Sequence, residues 1–231
     1  MAGQDVMRVI EVRTNRKQYL YGGIDCLKHG AINARVESAS ACFCDDFWQG
    51  GPNYSWAERE SSGNYSTVPG RPSGWISLNT NNNAGAAYSL YLDNLDFLAQ
   101  YNPSAIARME VPTITNVEVR MGFIGAADDD FIYFIYNTGE GHSTWHLRCD
   151  NGSGSPTDVD TGVSIDSVPH TIMFEFYSQV RIDGYVDGNK VGELTSKIPT
   201  NPLGLYMYVK TLENGVKSLY CDMITAWQDR Y

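Results

Sequence analysis

The chain has 231 residues, of which 42% are hydrophobic and 19% are charged, and this balance excludes a globally disordered protein. Its 17 Lys and Arg against 27 Asp and Glu give a formal charge of −10, so we expect no binding to nucleic acid or to anionic lipid. No apolar run reaches the roughly 20 residues of a membrane helix, and residues 1–14 lack an apolar stretch of signal-peptide length. We therefore expect neither a membrane span nor Sec export.

The first 44 residues differ in charge from the rest of the chain. The pattern predicts a strand over residues 6–12 and a buried strand over residues 39–44. Six basic against four acidic residues give this segment a charge of +2, which leaves −12 for residues 45–231. We interpret residues 1–44 as an arm, or as added strands, that docks on an acidic neighbouring subunit. The basic residues assigned to this assembly arm are Arg8, Arg13, Arg16 and Lys17.

Five cysteines cannot form a complete set of disulfides within one chain, and without export we expect reduced thiols. Cys26 and His29, followed by Cys42 and Cys44, supply three thiols and one imidazole that could close a tetrahedral zinc site. A C-x-C pair is not the spacing of the strong zinc-finger patterns. The alternative is that these are small buried residues of a packed segment.

Residues 49–74 are rich in Gly, Ser, Asn and Pro, which predicts a long loop of the kind that often carries function. Aromatic side chains lie in and beside this loop, where they could form a platform for sugar rings or an interface with another subunit. We favour the interface, because Tyr and Trp are enriched there. These residues are Tyr54, Trp56, Tyr65, Trp75 and Tyr88.

From Trp75 onward, short strands recur along the chain, with one short helix expected over residues 92–100. Asp187-Gly188-Asn189 predicts a tight hairpin turn. About a dozen strands at this spacing predict an all-β fold, a two-sheet antiparallel sandwich or jelly roll. The predicted strands cover residues 75–79, 87–92, 105–111, 116–123, 131–136, 143–149, 170–176, 180–186, 190–194, 203–209 and 218–227.

His142 and His146 are placed on one predicted strand. At a rise of about 3.3 Å per residue they would lie about 13 Å apart, too far to bind one metal ion together. We interpret them as surface or loop histidines, and His170, at the start of a strand, as structural.

A series of motifs over residues 45–231 resembles the concanavalin A-like (LamG and glucanase) jelly rolls found in structural proteins of tailed bacteriophages. These motifs are Asp45-Asp46-Phe47, residues 117–123 (V-x-V-R-x-G-F), 129–136 (D-x-F-I-x-F-x-Y), 145–147 (W-x-L), 160–163 (D-T-G-V), 170–175 (H-T-I-x-F-E), 184–188 (G-Y-V-D-G) and 217–224 (K-S-L-x-x-D-x-I). The resemblance implies a sandwich over residues 45–231. It also implies a structural calcium near the chain start and the final strand, at Asp46 and Asp222.

Members of this superfamily bind glycans, cleave them or serve as inert building blocks of virions. The E-x-D-x-x-E strand of the glucanases and the R-x-E-L-R strand of the alginate lyases are both absent here, and Glu110, Glu118 and Glu175 are each isolated among apolar neighbours or paired near basic residues. We therefore predict no catalytic residue, no enzyme and no required cofactor. The predicted function is a capsid decoration protein, assembled in the host cytoplasm, whose trimers bind the major capsid protein or other virion subunits. The alternative is a tail-fibre or baseplate adhesin that binds a host surface glycan, and the third reading is a polysaccharide lyase or glycosidase.

Overall fold

The structure is a computed structural model, and it describes residues 10–13, 18–21, 39–47, 51–52, 56–71, 74–92 and 97–229. Nearly all of the regular structure in these residues is β-strand. The strands are β1 (Ile10–Arg13), β2 (Gln18–Tyr21), β3 (Ala39–Asp45), β4 (Trp56–Ser61), β5 (Gly63–Thr67), β6 (Ile76–Thr80), β7 (Ala87–Leu92), β8 (Ser104–Glu110), β9 (Val117–Gly125), β10 (Asp130–Asn137), β11 (Thr144–Asn151), β12 (Thr157–Ser164), β13 (His170–Tyr177), β14 (Arg181–Val186), β15 (Asn189–Leu194), β16 (Leu203–Thr211) and β17 (Ser218–Asp229). Within the described ranges, no helix is long and apolar enough to cross a membrane.

Two antiparallel sheets form a sandwich, which confirms the predicted all-β jelly-roll class. The seven-stranded sheet has the order β12-β11-β10-β9-β16-β7-β4. The eight-stranded sheet has the order β15-β14-β13-β8-β17-β6-β5, and β3 is its eighth strand, paired with β17. Strands β1 and β2 pair with each other in a separate hairpin. Strands that are distant in sequence are therefore neighbours in both sheets, and each outer face combines residues from many parts of the chain.

The core lies between the sheets and follows from the alternation of apolar residues along the strands. In β9, Val117, Val119, Met121 and Phe123 point inward and are buried. The ring of Phe123 packs edge-on against Phe174 of the opposite sheet, with centroids 5.2 Å apart. Burying a large apolar side chain contributes about 1.5–3 kcal/mol, so these inward rows hold the two sheets together.

Two glycines leave room for tyrosine side chains on the outer face of the seven-stranded sheet. A Cβ atom on Gly122 would lie 2.0 Å from the carbonyl oxygen of Ile132 and 2.5 Å from the Cα atom of Tyr133. A Cβ atom on Gly204 would lie 2.4 Å from the ring of Tyr91. Both approaches are closer than any side chain allows, so glycine is required at the centre of this sheet.

The long loop predicted over residues 49–74 is wrong in part, because it contains the strands β4 and β5. Strand β4 is the edge of the seven-stranded sheet and β5 is the edge of the eight-stranded sheet. Their side chains are largely exposed. An edge strand with little burial needs no apolar alternation, which is why its sequence reads as a loop.

The helix predicted over residues 92–100 is also wrong. Among its described residues, Leu92 ends β7, Phe97 forms a bridge with Leu203, and Ala99–Tyr101 forms a single 3-10 turn. The hairpin predicted at Asp187 and Gly188 is confirmed: their φ angles are +50° and +80°, and they join β14 to β15.

Candidate functional sites

Five aromatic rings lie together at the centre of the outer side of the seven-stranded sheet. We call Tyr91, Phe131, Tyr133, Tyr206 and Tyr208 the aromatic face. They come from the strands β7, β10 and β16, and β9 lies between β10 and β16. Phe131 and Tyr133 stack with centroids 4.4 Å apart, and Tyr206 and Tyr208 stack at 5.9 Å. The result is a patch of rings that runs across several strands.

Two arginines join the rings of the aromatic face. The guanidinium carbon of Arg120, on β9, lies 5.2 Å from the ring centroid of Tyr133 and 4.8 Å from that of Tyr208. It therefore spans the gap between β10 and β16. Arg59, from the edge strand β4, lies over the ring of Tyr91 at 5.2 Å. Each such cation–π contact contributes about 0.5–2 kcal/mol, depending on how far it is removed from water.

Two carboxylates accompany the aromatic face, and each has its own partners. Glu118, on β9, is 3% exposed and accepts a hydrogen bond from Nε of Arg120 at 2.6 Å. Glu60, on β4, accepts hydrogen bonds from Oγ of Ser89 and from Oη of Tyr206, the latter at 3.4 Å. One carboxylate is thus held by a cation and the other by two hydroxyl groups.

Tyr208 lies between these two carboxylates. Its cross-strand neighbours are Arg120 on one side and Ser89 on the other, the residues that hold Glu118 and Glu60 respectively. Burial raises the pKa of Tyr208, and the negative charges of Glu118 and Glu60 raise it further. The phenol therefore keeps its proton at neutral pH and can donate a hydrogen bond.

Sequence reasoning did not find the aromatic face. It identified the strand over residues 203–209 but attached no function to it. The sequence signal for this face is the alternation of Leu205 and Met207, which point inward, with Tyr206 and Tyr208, which point outward. Arg120, the partner of Glu118, is two positions away on the same strand, but the place of this pair beside Tyr208 depends on β16, which is remote in sequence.

A second pair of acidic residues lies on the outer side of the eight-stranded sheet. Glu175 of β13 and Asp183 of β14 are directly opposite each other and are 4% and 3% exposed. Burial raises the pKa of Glu175, which accepts a hydrogen bond from Oη of Tyr177 at 3.0 Å. Asp183 forms ion pairs with Lys190 at 2.9 Å and with Arg181 at 3.1 Å. The side chains of Lys190 and Arg181 thus neutralise Asp183, one member of the acidic pair.

The aromatic residues expected to act together in the sequence do not form one platform. Trp56 is half-buried against the core, and Trp75 and Tyr88 are buried. Tyr65 is 43% exposed but lies on β5, at the edge of the other sheet. Tyr54 lies outside the described residues.

The predicted calcium ligands Asp46 and Asp222 are close together in the structure. A Cβ atom on Gly74 would lie 3.0 Å from the carbonyl oxygen of Asp46 and 3.7 Å from Oδ1 of Asp222. The other oxygen of Asp222 accepts a hydrogen bond from Arg108 at 2.8 Å. Burial raises the pKa of Asp222, and Asp46 adds to this effect. Ca²⁺ binds carbonyl and carboxylate oxygens from separate parts of a chain. Gly74 has no side chain and leaves space beside these two oxygens.

The other predicted site residues are described only in part. Thr225 donates a hydrogen bond from its hydroxyl group to Sγ of Cys44 at 3.0 Å. The zinc site, the assembly arm, the trimer and the domain boundary at residue 44 stay predictions. Arg13 and Cys42 are placed in β1 and β3 by their backbones, whereas Arg8, Arg16, Lys17, Cys26 and His29 lie outside the described residues.

The separation expected between His142 and His146 is wrong. Their rings stack almost parallel, at 8°, with centroids 3.7 Å apart. The expectation assumed one straight strand, but β11 begins only at Thr144 and its pairing with β12 shifts register between Thr144 and His146. Asp158 of β12 completes a group whose nitrogen and oxygen atoms lie within 4.8 Å of one another.

The chain is similar in fold to solved structures of carbohydrate-active proteins. A β-glucanase from Bacillus licheniformis matches it with a TM-score of 0.60 and 15% identity, over 83% of this chain and 99% of that one. The laminarinase catalytic domain from Thermotoga maritima matches with a TM-score of 0.62 and 12% identity, over 82% and 98%. The carbohydrate recognition domain of Emp47p matches with a TM-score of 0.60 and 13% identity, over 84% and 99%. No family model and no curated protein sequence matches. These similarities establish the concanavalin A-like fold.

The predicted function is wrong in its main point. The similar structures include β-glucanases and a laminarinase, which are enzymes, and this finding contradicts both the capsid decoration role and the prediction that the chain is no enzyme. The error has a physical reason. The absence of one E-x-D-x-x-E string was read as the absence of a carboxylate pair, but a sheet face gathers carboxylates from several strands.

Proposed function

We propose that this protein is a glycoside hydrolase that binds a β-glucan chain across the aromatic face. The observation that carries the proposal is the placement of Glu60 and Glu118 on either side of Tyr208, at the centre of a patch of rings. The fold shared with a β-glucanase and a laminarinase supports the same class of substrate. Sites for neutral ligands combine apolar surface with a few fixed polar groups, which is the composition of this face.

Glycosidic bond cleavage requires one carboxyl group that donates a proton to the leaving oxygen and a second that acts as nucleophile or base. We assign the second role to Glu118, because its partner is the cation Arg120. We assign the proton donor role to Glu60, because its partners are hydroxyl groups. Tyr208, with its raised pKa, would donate a hydrogen bond to a sugar oxygen between them.

The first experiment measures the release of reducing ends from mixed-linkage β-1,3-1,4-glucan and from laminarin by the full chain. We expect activity in the wild type and a loss of roughly 100-fold or more in Glu60→Gln and Glu118→Gln, the usual effect of removing an acid or base. Glu175→Gln is the matched control, because Glu175 is equally buried but lies on the other sheet.

Binding of the polysaccharide without any release of reducing ends would overturn the hydrolase proposal. Loss of activity in Glu175→Gln alone would move the catalytic pair to the eight-stranded sheet. Circular dichroism verifies that each variant folds, and Glu118→Asp replaces Glu118→Gln if the latter does not.

We also propose a structural calcium held by the carbonyl oxygen of Asp46 and the carboxylate of Asp222. Its support is the approach of both groups to Gly74. When bound, the ion would tie the segment after β3 to β17 and contribute stability but no step of the reaction. Calcium at about 100 times its Kd should stabilise the fold by about 2.7 kcal/mol. Thermal unfolding with and without calcium measures this, and equal calcium dependence of the wild type and Asp222→Asn would contradict it.

A further inference from the structure

Two histidines and an aspartate converge at the far edge of the seven-stranded sheet, away from the carboxylates of the proposed active site. His142 follows the 3-10 turn Thr138–Glu140, whereas His146 lies on β11 and Asp158 on β12. Nδ1 of His146 lies 2.7 Å from Oδ2 of Asp158. One ligand atom from each of the three residues lies within 4.8 Å of the other two.

The charges around this point favour a cation. Glu140, Asp158 and Asp160 are acidic and Arg148 is basic, so with neutral imidazoles the local charge is −2. Arg148 is already bound to Glu140 at 2.5 Å and to Asp158 at 3.0 Å. Thr144 holds Asp160 at 2.6 Å. A divalent ion would therefore bring the cluster to electrical neutrality.

The group is also accessible from solvent. The side chain of His142 is 6% exposed, that of His146 is 14% exposed and that of Asp158 is 32% exposed. The two histidine side chains are thus largely buried, whereas Asp158 lies at the solvent side, from which an ion can reach the group. Neutral imidazole and carboxylate are standard ligands of zinc and related metals.

We propose that His142, His146 and Asp158 form a binding site for a divalent transition metal of the zinc class. Three protein ligands leave a fourth position for water in a tetrahedral site. At zinc–ligand distances of about 2.0–2.1 Å, neighbouring ligand atoms lie about 3.4 Å apart. Because a metal ion lies in the plane of each imidazole that binds it, one of the two stacked rings must turn out of the stack when the ion binds.

The site would brace the edge of the sheet rather than take part in cleavage. It joins the turn before β11 to β12, the outermost strand of this sheet. The neighbouring strand β10 carries Tyr133, opposite Arg148 in register, so the metal site is next to one end of the aromatic face. This inference does not depend on the proposed hydrolase activity.

The test is calorimetric titration of the metal-free full chain with Zn²⁺, in the presence of millimolar Ca²⁺ so that oxygen-only sites are filled. We expect Zn²⁺ binding in the wild type and a loss of affinity of roughly 100-fold in His142→Gln and in His146→Gln. His170→Gln is the matched control, because His170 also contacts two aspartates, Asp166 and Asp187, but lies on the other sheet. Unchanged zinc affinity in the His142→Gln/His146→Gln double variant overturns the proposal.

Two further measurements keep the test independent of folding and of the cysteines. In proton NMR spectra of the wild type, Zn²⁺ should shift the imidazole signals of His142 and His146 and leave that of His170 in place. Bound Co²⁺ should show no thiolate charge-transfer band. A thiolate band together with unmoved histidine signals would assign the metal to cysteines and contradict the proposal.

Discussion

The two sheets of the sandwich share one core, but their outer faces are stabilised differently. The seven-stranded sheet buries rings on its outer side, with guanidinium groups and carboxylates among them. The eight-stranded sheet instead carries buried carboxylates that are matched by cations at its surface, as in the pairs of Asp183 with Lys190 and Arg181. On the first sheet the polar groups thus lie among buried and half-buried rings, whereas on the second sheet they are paired with cations at the surface. The ligand-binding face that we propose is therefore the one whose polar groups are set among aromatic rings.

The largest expected effect comes from removing the cation at the centre of the aromatic face. Arg120→Ala leaves the buried Glu118 without its cation and removes contacts to two rings. Loss of one partner of a buried pair costs about 3–5 kcal/mol. Urea unfolding measures the free energy of unfolding. Arg181→Ala is the matched control on the other sheet, where the arginine side chain is 39% exposed and we expect a loss of about 1 kcal/mol or less. Equal losses in the two variants would remove the distinction between the faces.

A smaller effect is expected from two matched glycine substitutions. In Gly122→Ala the new Cβ atom meets the backbone of β10, at 2.0 Å from the carbonyl oxygen of Ile132. In Gly184→Ala it meets the side chains of Leu147 and Phe134, at 2.8 and 3.1 Å, which can rotate. We expect Gly122→Ala to cost about 3 kcal/mol and Gly184→Ala clearly less, since overpacking usually costs about 1–3 kcal/mol. Thermal unfolding measures the loss of stability in both variants. A larger loss in Gly184→Ala than in Gly122→Ala would contradict the close approach of the backbones at Gly122.

The smallest effect concerns pH and the eight-stranded sheet. Because burial raises the pKa of Glu175, the unfolded chain loses this proton first as the pH rises above about 4.3. The free energy of unfolding should therefore fall with rising pH from that value up to the raised pKa of the folded state. Glu175→Gln should remove this part of the pH dependence in urea titrations.

Glu193 supplies the control for that measurement. Its pKa is lowered by the hydrogen bond from Lys190, so its contribution is present above the ordinary glutamate pKa and is lost as the pH falls. Glu193→Gln should change the pH dependence in the opposite direction. Parallel pH profiles for the wild type and Glu175→Gln would show that Glu175 is not the titrating group.

Sequence alone was sufficient where the determining interactions are local. Alternation along residues 117–123 sets which side of β9 faces the core, and Asp187-Gly188 sets a hairpin through its backbone preference. These features predicted the all-β sandwich. These local features did not predict β4 and β5. An edge strand forms by pairing with its neighbour, and its own sequence carries little apolar alternation.

The tertiary structure decided which side chains meet. Glu60 and Glu118 are 58 positions apart in the chain, and only the strand order β9-β16-β7-β4 brings them to opposite sides of Tyr208. His142 and His146 are four positions apart, yet only the late start of β11 brings their rings together. The physical reason is the same in both cases. Backbone preference and alternation act within a few residues, whereas a site is made by the lateral order and register of strands, which depend on the packing of the whole sandwich.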